Sequence, residues 1–75
     1  MKLVAIPHLV KAVIVKSVVG EATIDFLDEH KKTIAQLKCS FEELIKSPNR
    51  TLSVPLSNEM CFVRFHGCKL DWESL

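Results

Sequence analysis

The sequence predicts an α+β fold: a small antiparallel sheet of five to six strands, in the order β-β-β-α-β-β-β, with one short helix. Three features predict this class. β-branched residues crowd the first third, apolar and polar residues alternate over two later stretches, and a Ser-x-x-Glu motif begins at Ser40. A chain of 75 residues is expected to form a single domain, residues 1–75.

The apolar and β-branched residues in the first half of the sequence predict a meander of three strands. Val19-Gly20 is interpreted as a turn that places Val15 opposite Ile24. The polar residues 28–31 form the next turn, after which Ala35 is expected opposite Ile24. The predicted strands are Val10–Val19, Glu21–Leu27 and Thr33–Cys39.

A short helix and an edge strand follow. Ser40 is the predicted N-cap, and Glu43 completes a capping box, so a helix is expected at about Phe41–Ser47. Pro48 ends it, because proline disfavours helical backbone in the preceding residue. Thr51–Leu56 is a predicted strand that Pro55 confines to a sheet edge.

The last third predicts a hairpin around which the sheet is organised. His66-Gly67 is interpreted as a two-residue loop, in which Gly67 supplies the positive φ. In this register Val63 faces Leu70, and Arg64 lies beside Lys69 on the opposite face. The apolar face would hold Cys61, Val63, Phe65, Cys68, Leu70 and Trp72.

This order of elements, with two short motifs, resembles DUF2442, a small bacterial family of unknown function. The segment 26–29, Phe-Leu-Asp-Glu, is similar to the family's F-x-D-G turn, although Glu29 stands where the family has Gly. Phe62, Gly67 and Trp72 match its final strand, turn and strand, but the N-G-x-D segment that usually follows the Trp is missing. The resemblance implies an accessory, antitoxin-like or regulatory role and supplies no catalytic residues.

The composition argues against some classes of function. A net charge of +1 argues against a strongly basic nucleic-acid or membrane surface. Three cysteines cannot all pair within one chain, and no apolar run reaches the length of a membrane span, so a reduced, cytoplasmic protein without a membrane segment is expected. No cofactor is expected.

The function predicted first is a non-enzymatic interaction module that acts as a homodimer. The predicted strands carry apolar residues on both faces, and one short helix cannot cover two faces of a sheet. A second copy or another protein is therefore the expected cover. The expected interface residues are Ala12, Ile14, Val18, Ile34, Met60 and Phe62.

Three other functions stay open at this stage. Nucleic acid could contact Arg64 and Lys69 while bases stack on Phe62, although the charge balance makes nucleic acid a less favoured partner. A thiol enzyme could use Cys68 with the nearby His66, but adjacent strand positions point to opposite faces. A metal could bind among Cys61, His66 and Cys68, with Cys39 and His30 as further ligands, although paired zinc-type spacing is lacking.

Overall fold

A computed structural model describes residues 2–75 as five strands and one short α-helix. All strand pairs are antiparallel, in the order β1-β5-β2-β3, and β4 also pairs with β2. The predicted α+β class with an antiparallel sheet is confirmed. The elements are β1 (Lys2–Ala5), β2 (Val10–Leu27), β3 (Thr33–Ser40), α1 (Phe41–Ile45), a 3₁₀ turn (Pro48–Arg50), β4 (Leu52–Pro55) and β5 (Phe62–Ser74).

The two predicted hairpins, at Val19-Gly20 and at His66-Gly67, are wrong. β2 and β5 are each continuous, and they pair with each other from Val10↔Ser74 to Leu27↔Phe62. We call this pair the β2–β5 ribbon. Its first half joins residues 10–18 to 68–74, and its second half joins residues 23–27 to 62–66.

A wide bulge separates the two halves of the ribbon. Residues 19–22 of β2 lie between the pairs Val18↔Cys68 and Thr23↔His66, and only Gly67 lies between them on β5. Both glycines of the chain are at this bulge, with φ of 72° at Gly20 and 77° at Gly67. A Cβ on Gly67 would lie 2.8 Å from the backbone oxygen of Glu21, so the strands approach too closely there for a side chain.

The predicted apolar face survives this change of topology. Val63 is fully buried, and Phe65, Cys68, Leu70 and Trp72 pack against the core, as the sequence predicted, whereas Cys61 lies outside it. Both halves of the ribbon supply one apolar cluster. Its buried members are Val13, Val15, Val18, Ala22, Ile24, Phe26, Cys39, Leu44 and Val63.

The helix and β4 follow the sequence closely. Ser40 Oγ accepts a hydrogen bond from the Glu43 backbone N–H at 3.2 Å, and the reciprocal bond to the Ser40 N–H is present, which confirms the capping box. The helix ends at Ile45, earlier than predicted, and buries Leu44 in the core. Pro55 lies in β4, which pairs with β2 alone and is therefore an edge strand.

Two further differences concern the register of β3 and the number of strands. β3 pairs with β2 as expected, but Ala35 lies opposite Phe26 and Leu37 lies opposite Ile24, a shift of two residues that leaves the buried face unchanged. β1 was not predicted, and it pairs with β5 from Lys2↔Phe65 to Ala5↔Phe62. No helix within residues 2–75 is long and apolar enough to cross a membrane.

Candidate functional site

An ion pair lies on the face of the ribbon's second half that points away from the core, which we call the outer face. The Asp25 carboxylate, whose side chain is only 6% exposed, accepts hydrogen bonds from Arg64 Nη2 at 2.9 Å and Nε at 3.2 Å. Gln36 donates to its other oxygen at 2.7 Å. Arg64 also donates to Thr33 Oγ1 at 3.2 Å, so four side chains on three strands form one network.

This network keeps the Asp25 carboxylate ionised. The hydrogen bond from Gln36 lowers the pKa of Asp25 most, burial opposes it, and the hydrogen bond and charge of Arg64 lower it further. No buried side-chain polar atom in residues 2–75 lacks a hydrogen-bond partner. The network therefore stabilises the second half of the ribbon, and both oxygens of its carboxylate are hydrogen-bonded to neighbouring side chains.

The structure does not assemble the predicted nucleic-acid surface. Arg64 is bound to Asp25, and Lys69 pairs with Ser17 in the other half of the ribbon, because the hairpin that would place it beside Arg64 does not form. Phe62 is half-buried, and the Lys31 ammonium lies 5.5 Å from the centre of its ring. A stacked base would have to displace that cation.

The thiol chemistry is also not assembled. Burial raises the pKa of the Cys68 thiol and of the Cys39 thiol, so both are protonated at neutral pH. Cys68 packs against the core, whereas His66 is exposed on the strand next to Thr23. Within residues 2–75 no three His, Cys, Asp or Glu side chains are arranged to hold a metal ion. Cys68 lies opposite Val18 in the first half of the ribbon, whereas Cys61 precedes Phe62, which lies opposite Leu27 at the end of the second half.

Two clefts meet at the end of the sheet where three loops converge, a grouping that the sequence did not reveal. The first, of about 360 Å³, is acidic, and the second, of about 330 Å³, is lined by both apolar and polar groups; Asn58 and Cys61 line both. The first is lined by Asp28, Glu29, His30, Asn58, Glu59 and Cys61. The Asp28 carboxylate already accepts the backbone N–H groups of His30 and Lys32, both at 2.9 Å, so it holds the β2–β3 turn.

The residues expected at an interface divide into two groups. Ala12 and Val18 are only 4% and 5% exposed, so each is buried within one chain. Val18 lies on the core face because a bulge between Val15 and Ser17 reverses the alternation of β2, which the sequence reasoning did not include. Ile14, Met60 and Phe62 are half-buried, and Ile34 is 39% exposed.

Edge strands are the surfaces through which a sheet most readily binds another chain, because their outer backbone groups are unpaired. Within residues 2–75 the sheet has four such edges: β1, β3, β4 and the part of β5 that follows its pairing with β1. Three carry protective features. β3 has a bulge at Ile34 and a lysine at 38, β4 has Pro55, and in β5 the Asp71 carboxylate accepts the Trp72 backbone N–H at 2.9 Å.

Between Leu3 and Ala5, β1 has no bulge, proline or side chain that caps its outer backbone groups, so only its four-residue length and Lys2 protect this edge. Its single charged residue is Lys2, at the start of the strand, and the Leu3 side chain is 46% exposed. Sequence reasoning missed this edge because Pro7 and His8 break the apolar run after only a few residues. The signal that could have found it is the short apolar segment 3–6 itself.

Comparison with family models, with curated proteins and with solved structures finds no match to this chain.

Proposed function

We propose that this chain is a non-enzymatic interaction module that acts as a homodimer. The observation that carries the proposal is the open sheet, which leaves the outer edge of β1 unpaired within residues 2–75. Unpaired backbone donors and acceptors on such an edge bind a further strand from another chain. An accessory, antitoxin-like or regulatory role, which the resemblance to DUF2442 implies, is in keeping with a module of this kind.

The polar groups of the structure support a binding role over a catalytic one. Asp25, Arg64 and Gln36 satisfy one another, and Asp28 holds a turn. The Cys68 thiol is protonated and packs against the core, away from a base. A nucleophile, a base and a group that orients the base are the minimum for most hydrolytic or transfer chemistry.

Sedimentation equilibrium over about 1–100 μM, with melting curves at the same concentrations, tests the proposal. We expect a monomer–dimer equilibrium and a midpoint that rises with concentration, because a dimer is stabilised by mass action. A monomer at every concentration, with a constant midpoint, would contradict it.

Fluorescence anisotropy with single-stranded oligonucleotides separates this function from nucleic-acid binding. We expect no binding tighter than about 10 μM near 0.15 M salt, where only weak non-specific association is usual. The matched variants are Arg64→Ala and Lys69→Ala. Tight, salt-dependent binding that both substitutions weaken would replace the interaction module with the nucleic-acid function.

A further inference from the structure

We propose that the dimer forms by antiparallel pairing of β1 with β1 of a second copy, which joins two sheets into one continuous sheet. This inference rests on the proposed homodimeric function and names the surface that would perform it. The edge strand involved is Lys2–Ala5, whose other side is paired with β5.

The direction of the backbone groups follows from one hydrogen bond. The Ile6 N–H donates to the Cys61 carbonyl at 2.9 Å, so the backbone groups of Ile6 point toward the β5 side. In an antiparallel strand these directions alternate from one residue to the next. The groups of Val4 therefore also point toward β5, and those of Leu3 and Ala5 point outward, where no strand within residues 2–75 pairs with them.

A second copy of β1 fits this pattern. With a twofold axis at Val4, Leu3 of each copy lies opposite Ala5 of the other, and both residues direct their N–H and C=O groups across the axis. The two Val4 residues then form the non-hydrogen-bonded pair at the centre. All outward backbone groups between Leu3 and Ala5 gain partners in this register.

Charge and exposure favour the same register. Lys2 of one copy lies opposite Ile6 of the other, so the two cations are at opposite ends of the contact. Leu3, which is 46% exposed in the single chain, gains the neighbouring Ala5 as a cover. The protected edges of β3, β4 and β5 offer no equivalent run of apolar residues without a proline, bulge or charge.

Two variants test the contact in the full chain. Ala5→Pro removes one outward N–H and leaves the bonds of Val4 and Ile6 to β5 in place. Leu3→Lys places a charge in the contact, next to the axis at Val4. The control is Val19→Lys, which removes an apolar side chain that is 80% exposed at the bulge, in a different part of the sheet.

Sedimentation equilibrium should show a dissociation constant at least about tenfold higher in Ala5→Pro and in Leu3→Lys, and unchanged in Val19→Lys. Circular dichroism confirms that each variant is folded. If the wild-type chain dimerises and both variants dimerise equally well, the β1 contact is wrong while the homodimeric function stands. If the wild-type chain is monomeric at about 100 μM, the proposed function itself fails.

Amide hydrogen exchange in the wild-type chain gives an answer that does not depend on how the variants fold. At a dimeric concentration the amides of Leu3 and Ala5 should exchange more slowly than in a dilute, monomeric sample. The amide of Val4 should change less, because it faces β5 in both states. Exchange at Leu3 and Ala5 that is independent of dimerisation would overturn the proposed contact.

Discussion

The two halves of the β2–β5 ribbon carry the same kinds of charge in different surroundings. In the first half, Lys16 and Asp71 are 3.5 Å apart, and both side chains are more than half exposed, at 55% and 57%. In the second half, Arg64 and Asp25 are 2.9 Å apart, and the Asp25 side chain is 6% exposed. The ion pair of the first half is held in water, and that of the second half lies partly under the protein surface.

The difference arises from how each half is covered. In the second half, residues 24–27 of β2 are all buried, so both faces of the strand are covered and a carboxylate there requires partners. In the first half, Lys11, Lys16 and Ser17 are exposed beside the buried Val13 and Val15. An exposed pair contributes little to stability, whereas removal of one member of a buried pair leaves a charge without compensation.

The largest effect is expected from Arg64→Ala. It leaves the enclosed Asp25 carboxylate with Gln36 as its remaining side-chain donor, so the free energy of unfolding should fall by about 3 kcal/mol. Urea titration monitored by Trp72 fluorescence measures the change. The matched variant in the first half is Lys16→Ala, for which a loss of about 0.5 kcal/mol or less is expected. Equal losses would show that the two halves do not differ as described.

The next effect tests the bulge that divides the halves. Gly67→Ala introduces a Cβ that would lie 2.8 Å from the Glu21 oxygen, at a φ of 77°. The expected loss is about 2–3 kcal/mol, since the strain of that backbone and a close contact add. Gly20→Ala is the control: its φ is 72°, but no atom lies within 4 Å of the added Cβ. About 1 kcal/mol is expected there, for backbone strain alone.

These two glycines also show how far the sequence could predict the fold. Along an unbroken strand, successive residues alternate between the two faces. A two-residue loop and a bulge at the same place both interrupt this alternation in the same way. Phe65 and Cys68 therefore lie on one face in either case, and the alternation alone could not distinguish a hairpin from a bent continuous strand. The core face was predictable for this reason, while the strand pairing was not.

The candidate site depended on that pairing. Asp25 and Arg64 are 39 residues apart in the chain, and they meet only because β5 lies along the second half of β2. The predicted hairpin placed Lys69 beside Arg64 instead, which made a basic surface that the structure does not contain. The helix cap was predictable because its contacts lie within four residues, from Ser40 to Glu43.

A smaller loss of stability is expected from a change at α1. This helix connects β3, which flanks the second half of the ribbon, to β4, which flanks the first half. α1 follows β3 and precedes β4, and its Leu44 packs in the cluster to which both halves contribute. Ser40→Ala removes the side-chain acceptor of the Glu43 N–H, so a loss of about 1 kcal/mol is expected in a urea titration. Ser53→Ala, on the exposed side of β4, is a suitable control. No loss at Ser40 would mean that the cap does not contribute to stability.

The pH dependence of stability should also differ between the halves. The pKa of Asp25 is lowered in the folded chain, so its contribution is present above the unfolded pKa of about 4 and is lost as the pH falls below it. Asp25→Asn should therefore flatten the fall in stability between about pH 5 and pH 2. The pKa of Asp71 is lowered as well, chiefly by the Trp72 N–H. Asp71→Asn should flatten the fall less, because Asp71 is solvated; an equal or larger flattening would contradict this comparison.

The most direct test of the account is a set of long-range nuclear Overhauser effects in the isotope-labelled chain. A continuous, bent β2–β5 ribbon predicts cross-strand contacts between Phe26 and Val63 in the second half, and between Val13 and Trp72 in the first. It predicts no contact between the backbones of Val63 and Leu70, which lie on the same strand and share only the apolar core. Strong backbone contacts between Val63 and Leu70, together with an absence of Phe26–Val63 contacts, would restore the hairpin and contradict the ribbon.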